Sequence, residues 1–147
     1  GDEVRDLRDE AGFPGMCVLQ FAFDGDRENP YLPRNVPEHS VMYTGTHDNN
    51  TSMGWFRALD DSTRTRVCEA VDCDSRHGFL DGFLELALGT RAFLCVVPVQ
   101  DVLGLGEEHR FNVPGVANGN WEWRCTEEML RSERIARVGE MVRKSGR

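Results

Sequence analysis

The chain has 147 residues, enough for one ordinary domain with a real core. With 39% hydrophobic and 29% charged residues it is of the globular class, and its formal net charge of −8 gives no basic footprint for nucleic acid or an anionic membrane. No apolar run approaches the length of a membrane span, and the polar opening Gly1-Asp-Glu-Val-Arg-Asp carries no signal peptide, so a cytoplasmic protein is expected.

Asp2 to Ala11 reads as a short helix with Val4, Leu7 and Ala11 on one face and Gly12 as its stop. Met16 to Phe23 is apolar at nearly every position, as expected of a parallel strand covered on both faces. Asp24 to His39 is a polar loop containing Pro30, Pro33 and Pro37, and loops of that length are often functional. Ser40 to Gly45 is the next strand, followed by a helix over Thr51 to Leu59 anchored by Trp55 and Phe56. Ser62 to Val71 is a charged helix, and Phe79 to Leu88 a helix with a wide apolar stripe ended by Gly89. Ala92 to Val97 is a third strand that leads to Gln100 and Asp101. A long loop rich in glycine, asparagine and tryptophan follows, and Thr126 to Lys144 closes the chain as a terminal helix within segment 126–147.

The alternation implies an α/β fold with parallel strands. A closed barrel of this class needs eight strands and about 250 residues, so the chain reads as part of a domain with two open sheet edges. The absence of an initiator methionine and the start inside a helix agree with that reading.

Cysteines stand at positions 17, 68, 73, 95 and 125, an odd count expected to be free thiols in a reducing cytosol. Cys68, Cys73 and His77 can be written as three metal ligands, but a fourth is lacking and the segment reads as helical, so no metal is expected. Asn49-Asn-Thr and Asn50-Thr-Ser match the glycosylation pattern and read as accidental without a secretory signal.

The densest chemistry lies in Val41-Met-Tyr-Thr-Gly-Thr-His-Asp-Asn-Asn-Thr, a buried strand that runs into His47 and Asp48. Ligand-binding groups gather at the carboxyl ends of strands in α/β folds. Asp48 reads either as a carboxylate that meets an electrophilic centre or as the N-cap of the helix that follows. His47 reads as a hydroxyl ligand or a satisfied core histidine. Trp121 and Trp123, beside Asn112, Asn118 and Asn120, read as sugar-stacking faces and amide donors, or as plain strand residues. Tyr31 is a stacking platform or a loop anchor. Asp24, Asp26, Asp48 and Asp101 all fall at or just after strand ends, and the chemistry suggested is glycosidic, which uses paired carboxylates; these residues alone do not single out a nucleophile.

Several motifs resemble one family. Gly12-Phe-Pro-Gly-Met-Cys-Val-Leu-Gln-Phe-Ala-Phe, Asn29-Pro-Tyr-Leu-Pro, Tyr43-Thr-Gly-Thr-His-Asp-Asn, Gln100-Asp-Val-Leu-Gly-Leu-Gly and Asn112-Val-Pro-Gly-Val-Ala-Asn-Gly-Asn-Trp-Glu-Trp-Arg match, in order, the 4-α-glucanotransferases, or amylomaltases, of glycoside hydrolase family 77. The resemblance runs from Val4 to Arg124 and departs from the family pattern at Cys17, Asn50, Val116-Ala-Asn and Glu122.

The resemblance implies that residues 1–147 are the C-terminal portion of a (β/α)8 TIM barrel. It implies transfer of α-1,4-glucan segments with retention, through a covalent glucosyl-enzyme intermediate, using an Asp nucleophile, a Glu acid/base and a transition-state-stabilising Asp. Asp48 matches the third of these, with His47 as its sugar-binding neighbour. Asp101, Asn112, Asn120 and Trp121 are the candidates for lining the acceptor side. The nucleophile and acid/base lie in family segments that precede this stretch, so the chain alone is expected to be inactive. The implied partners are a maltooligosaccharide and the N-terminal part of the same barrel, with no cofactor. The competing reading is a non-catalytic carbohydrate-binding or interaction module.

Overall fold

The computed structural model describes residues 2–73 and 78–147. Three strands, β1 (Gly15–Val18), β2 (Ser40–Tyr43) and β3 (Leu94–Val96), form one sheet in the order β1-β2-β3, both pairs parallel. Helix α1 (Asp2–Glu10) precedes β1 and ends at Gly12, whose φ of 68° is the left-handed conformation that a glycine takes without cost. Between β2 and β3 lie α2 (Ser52–Ala58), α3 (Asp61–Val71) and α4 (Gly78–Leu88).

The first strand is shorter than its apolar run. After Val18 the chain tightens into a 3-10 turn over Leu19–Phe21. Strand geometry alternates side chains across the sheet, whereas Leu19, Ala22 and Phe23 all go to one buried core, which the turn permits. The third strand gives way after Val96, and Gln100 and Asp101 belong to a short helix, α5 (Val99–Leu103), rather than to a strand end. The single C-terminal helix expected over Thr126 to Lys144 is two. Helix α6 (Glu127–Leu130) breaks at Arg131, and Ser132 caps α7 (Glu133–Lys144) by accepting from the Arg134 amide.

The core sits between the sheet and α2, α3, α4 and α7. Phe83, Leu84, Met42, Leu19, Val36 and Val67 are fully buried in it. Phe56 and Phe79 stack with ring centroids 3.9 Å apart, and Trp55 lies 5.4 Å from Phe83. Helices α3 and α4 approach so closely that a Cβ on Gly82 would lie 2.2 Å from the Val71 carbonyl oxygen, which is why glycine interrupts the apolar stripe of α4. Asp81 of α4, buried, receives Arg134 at 2.5 Å and Arg137 as ion-pair partners, and so fastens α7 to the core.

The sheet's two faces differ. Cys17 and Met42, paired in register, face the helices and are buried. On the opposite face Met16 is 54% exposed, and Leu94 and Val96 are exposed beside it. An apolar sheet face left open in this way is the shape of an arc whose interior other strands would fill. Among the described residues no helix is long and apolar enough to cross a membrane.

Candidate active site

The site grows from the segment that leaves β2. Asn49 Oδ1 accepts from the Thr46 amide at 2.9 Å and from the Thr46 hydroxyl at 2.8 Å, and the Asp48 amide donates to Thr46 Oγ1 at 3.2 Å. This closed turn has local side chains satisfying the backbone. It presents His47 and Asp48 outward, with side chains 56% and 51% exposed.

Asp48 caps no helix. The N-cap of α2 is Thr51, whose Oγ1 accepts from the Gly54 amide at 3.1 Å. The Asp48 carboxylate instead accepts from Asn112 Nδ2 at 2.5 Å and lies 3.3 Å from His47 Nε2. Arg110 ties the two segments together. Its Nη2 donates to the Asp48 carbonyl at 2.6 Å and its Nε to the Asn112 carbonyl at 2.9 Å.

Aromatic rings wall the site. The His47 ring lies 5.1 Å from Trp121, which meets Phe111 edge-on at 4.9 Å. Trp121 is 53% exposed and has φ of 64°, a conformation that costs a bulky residue about 1–3 kcal/mol and collects at functional sites. Trp123 Nε1 donates to His109 Nδ1 at 2.9 Å, which orients that imidazole. Beside these rings an open cleft of about 530 Å³, lined by Tyr43, His47, Arg110, Phe111 and Trp123, runs onto the open sheet face at Met16 and Val96.

The structure thus brings His47, Asp48, Asn112 and Trp121 together. It gives two other candidates different work. Asp101 borders the cleft but is only 2% exposed, and both of its carboxylate oxygens accept hydrogen bonds from Thr44 and Ser52. Asn120 Oδ1 accepts from the Val113 amide at 2.8 Å, while its Nδ2 donates to the carbonyls of Val113 and Val116. Its amide is consumed in closing the 113–120 loop. Asp24 and Asp26 are spent on turns as well, accepting from the amides of Asp26 and Glu28 at 2.9 Å. Hydrogen bonds from the Asn29 side chain and the Asp26 amide hold the Asp24 carboxyl below the usual range. Tyr31 sits edge-on against Phe21 at 5.8 Å and anchors its loop.

Sequence reasoning missed Arg110 and Phe111. Neither carries a local signal, because their partners lie far away in the chain. The Thr46–Asn49 turn was readable, as both residue types close turns on their own backbone.

The cysteines also correct an expectation. Cys68 and Cys73 are joined in a disulfide with Cα atoms 4.8 Å apart, while Cys17, Cys95 and Cys125 are free. An odd total leaves room for one pair, and these two cysteines stand five positions apart at the end of α3. Burial pushes the Cys17 and Cys95 thiols up, away from the reactive thiolate. His77, the third ligand written into a metal reading, lies outside the described residues. Among those described, no group of three His, Cys, Asp or Glu is placed to hold a metal ion.

The family model described as 4-alpha-glucanotransferase matches residues 1–130. The chain belongs to the 4-alpha-glucanotransferase family. It is 46% identical over 129 residues to a 4-alpha-glucanotransferase of Synechocystis, covering 87% of this chain and 26% of that protein. The corresponding enzyme of Thermus thermophilus is 44% identical over 148 residues, covering 95% of this chain and 29% of its own length. The amylomaltase of Streptococcus agalactiae, solved in complex with acarbose, superposes with a TM-score of 0.94 at 28% identity, over 100% of this chain and 30% of that one. The chain therefore spans about a quarter of the length of the curated relatives it matches. Its three parallel strands and their helices are an arc of the amylomaltase α/β barrel, which accounts for the open apolar face.

Proposed function

We propose that this chain is part of a cytoplasmic 4-α-glucanotransferase and supplies the last strands and helices of its barrel, with segment 126–147 as the closing helical stretch. The complete protein transfers α-1,4-glucan segments to an acceptor sugar with retention, through a covalent glucosyl-enzyme intermediate. Its partners are a maltooligosaccharide and the remainder of the same barrel.

The observation that carries this reading is Asp48. It is an exposed carboxylate at the carboxyl end of a barrel strand, caps no helix, and is held by Asn112 and by His47, which itself lines the aromatic-walled cleft. A retaining transfer passes through an oxocarbenium-like transition state at the anomeric carbon. A fixed carboxylate beside that carbon attracts the developing positive charge more strongly than it attracts the neutral substrate, and so lowers the barrier. The family's nucleophile and acid/base come from the segments that precede this stretch. Asp48 does neither job. It stabilises charge while those groups make and break the glycosidic bond.

His47, 3.3 Å from Asp48, binds a hydroxyl of the sugar at the cleavage point and keeps the carboxylate aimed. Asn112 serves chiefly as a donor to Asp48, and Trp121 offers its exposed face to the acceptor sugar.

The test is the product pattern of the complete protein with maltotriose. Glucose together with longer maltodextrins is the expected result. Glucose and maltose alone would make the protein a hydrolase, and binding without turnover would make it a carbohydrate-binding module.

A further inference from the structure

Asp101 is the buried acid that the proposed chemistry leaves unused. Its Oδ2 accepts from the Thr44 hydroxyl at 2.6 Å and the Ser52 hydroxyl at 2.7 Å, and its Oδ1 accepts from the Ser52 amide at 2.7 Å. Thr44 and Ser52 are themselves fully buried. Thr44 is the residue just before the 45–51 segment and Ser52 the residue just after it. We propose that Asp101 is the positioning residue of the active site, a single buried carboxylate that holds both ends of the segment carrying His47 and Asp48.

Three features support this beyond ordinary packing. A carboxylate in a buried site is costly unless fully hydrogen-bonded, and here all its bonds go to the two ends of one loop. The loop's middle is held by other groups. Gln20 Nε2 donates to the Asn50 carbonyl at 3.0 Å, and Arg110 donates to the Asp48 carbonyl at 2.6 Å. The Gln20 side chain packs directly on the start of the segment, since a Cβ on Gly45 would lie 2.7 Å from Gln20 Nε2 and would push that side chain aside. Asp101 borders the cleft, but the hydrogen bonds of its carboxylate run to Thr44 and Ser52 and not to Asp48. It acts by fixing where the loop begins and ends, and a displacement of about 1 Å at a catalytic group can cost roughly 100-fold in rate.

The inference rests on the reading of Asp48 as the transition-state carboxylate, and the test separates the two. In the complete protein, kcat and KM are measured for Asp101→Asn, Asp48→Asn and the double variant. Asp101→Asn should lower kcat about 10-fold or more with KM within about threefold. In the Asp48→Asn background the same change should cost less than about twofold in kcat, because the charge whose aim sets kcat is already gone and only the position of His47 is left to the clamp. A single-variant kcat within twofold of the parent, or an undiminished loss in the double variant, would overturn the clamp. Parental kcat in Asp48→Asn alone would overturn the catalytic reading of Asp48 and the clamp with it. If Asp101→Asn does not fold, Ser52→Ala removes one of the three bonds and is read in the same cycle. The expected loss there is about threefold in kcat, again vanishing in the Asp48→Asn background.

Discussion

Asn112 Nδ2 donates to Asp48 Oδ1 at 2.5 Å, a bond that joins residues 64 positions apart in the chain. Arg110 doubles the link by bridging the backbone carbonyls of the same two residues. The carboxylate is therefore aimed by a loop that follows a different strand, and the site exists only when both strands are in place.

Removing that donor should loosen Asp48 without removing its charge. A hydrogen bond to a charged group is worth about 1.5–3 kcal/mol. Asn112→Ala in the complete protein should therefore lower kcat by about 10-fold or more, less than loss of Asp48 itself. Steady-state kinetics on maltotriose checks this, and an unchanged kcat would show that the bond does not aim the carboxylate.

The cap of α2 and the Asp48 carboxylate are separate groups in this segment. Thr51 caps α2, and loss of such a cap costs about 1 kcal/mol. Thr51→Ala should lower the thermal midpoint whether or not Asn112 is present, whereas Asp48→Ala should leave it nearly unchanged once Asn112 has been replaced by alanine. The reverse order in a melting experiment would return Asp48 to a capping role.

Much of this site was legible because it is local. The strand into His47 and Asp48, and the turn residues around them, stand within ten positions. The role of Asp101 was not, since Thr44 and Ser52 lie 57 and 49 residues away. From sequence it was one more acid near a strand end. Asn120 misled for a related reason, because amides that close loops look the same as amides that bind sugars. The strands are shorter than their apolar runs because those runs leave the sheet, at Leu19 into a 3-10 turn and after Val96 towards α5.

Trp121 should trade stability against binding. Its left-handed backbone suits glycine, so Trp121→Gly relieves strain while removing the ring that faces His47 and Phe111. The expected result is a 3- to 10-fold rise in KM for the acceptor sugar, the size of an aromatic contact of about 0.5–1.5 kcal/mol. An acceptor KM equal to the parent's would remove Trp121 from the acceptor side.

Burial pushes the Asp101 carboxyl above the ordinary value of 3.8, outweighing the bonds from Thr44 and Ser52. Folding thus favours its protonated form. Its contribution to stability is fully present below the ordinary value and is lost as pH rises through the raised one. The melting temperature of the parent relative to Asp101→Asn should accordingly decline across that window. A relative gain with rising pH would contradict the assignment.

The 147-residue chain by itself should bind a hydrophobic dye and self-associate, because Met16, Leu94 and Val96 on the sheet, and Val4 and Leu7 on α1, are exposed. It should not disproportionate maltotriose, since a retaining mechanism needs a nucleophile and an acid/base about 5 Å apart. A dye-silent monomer, or the appearance of longer maltodextrins, would contradict these two expectations respectively.

The central claim is that Asp48 stabilises the transition state. Asp48→Asn in the complete protein keeps the side chain's size and removes its charge. Loss of one such preorganised partner typically costs about 10²–10³ in rate. Measurement of kcat and KM of that variant on maltotriose should show a loss of this size in kcat with KM little changed, and a kcat within a few-fold of the parent would contradict the role of Asp48.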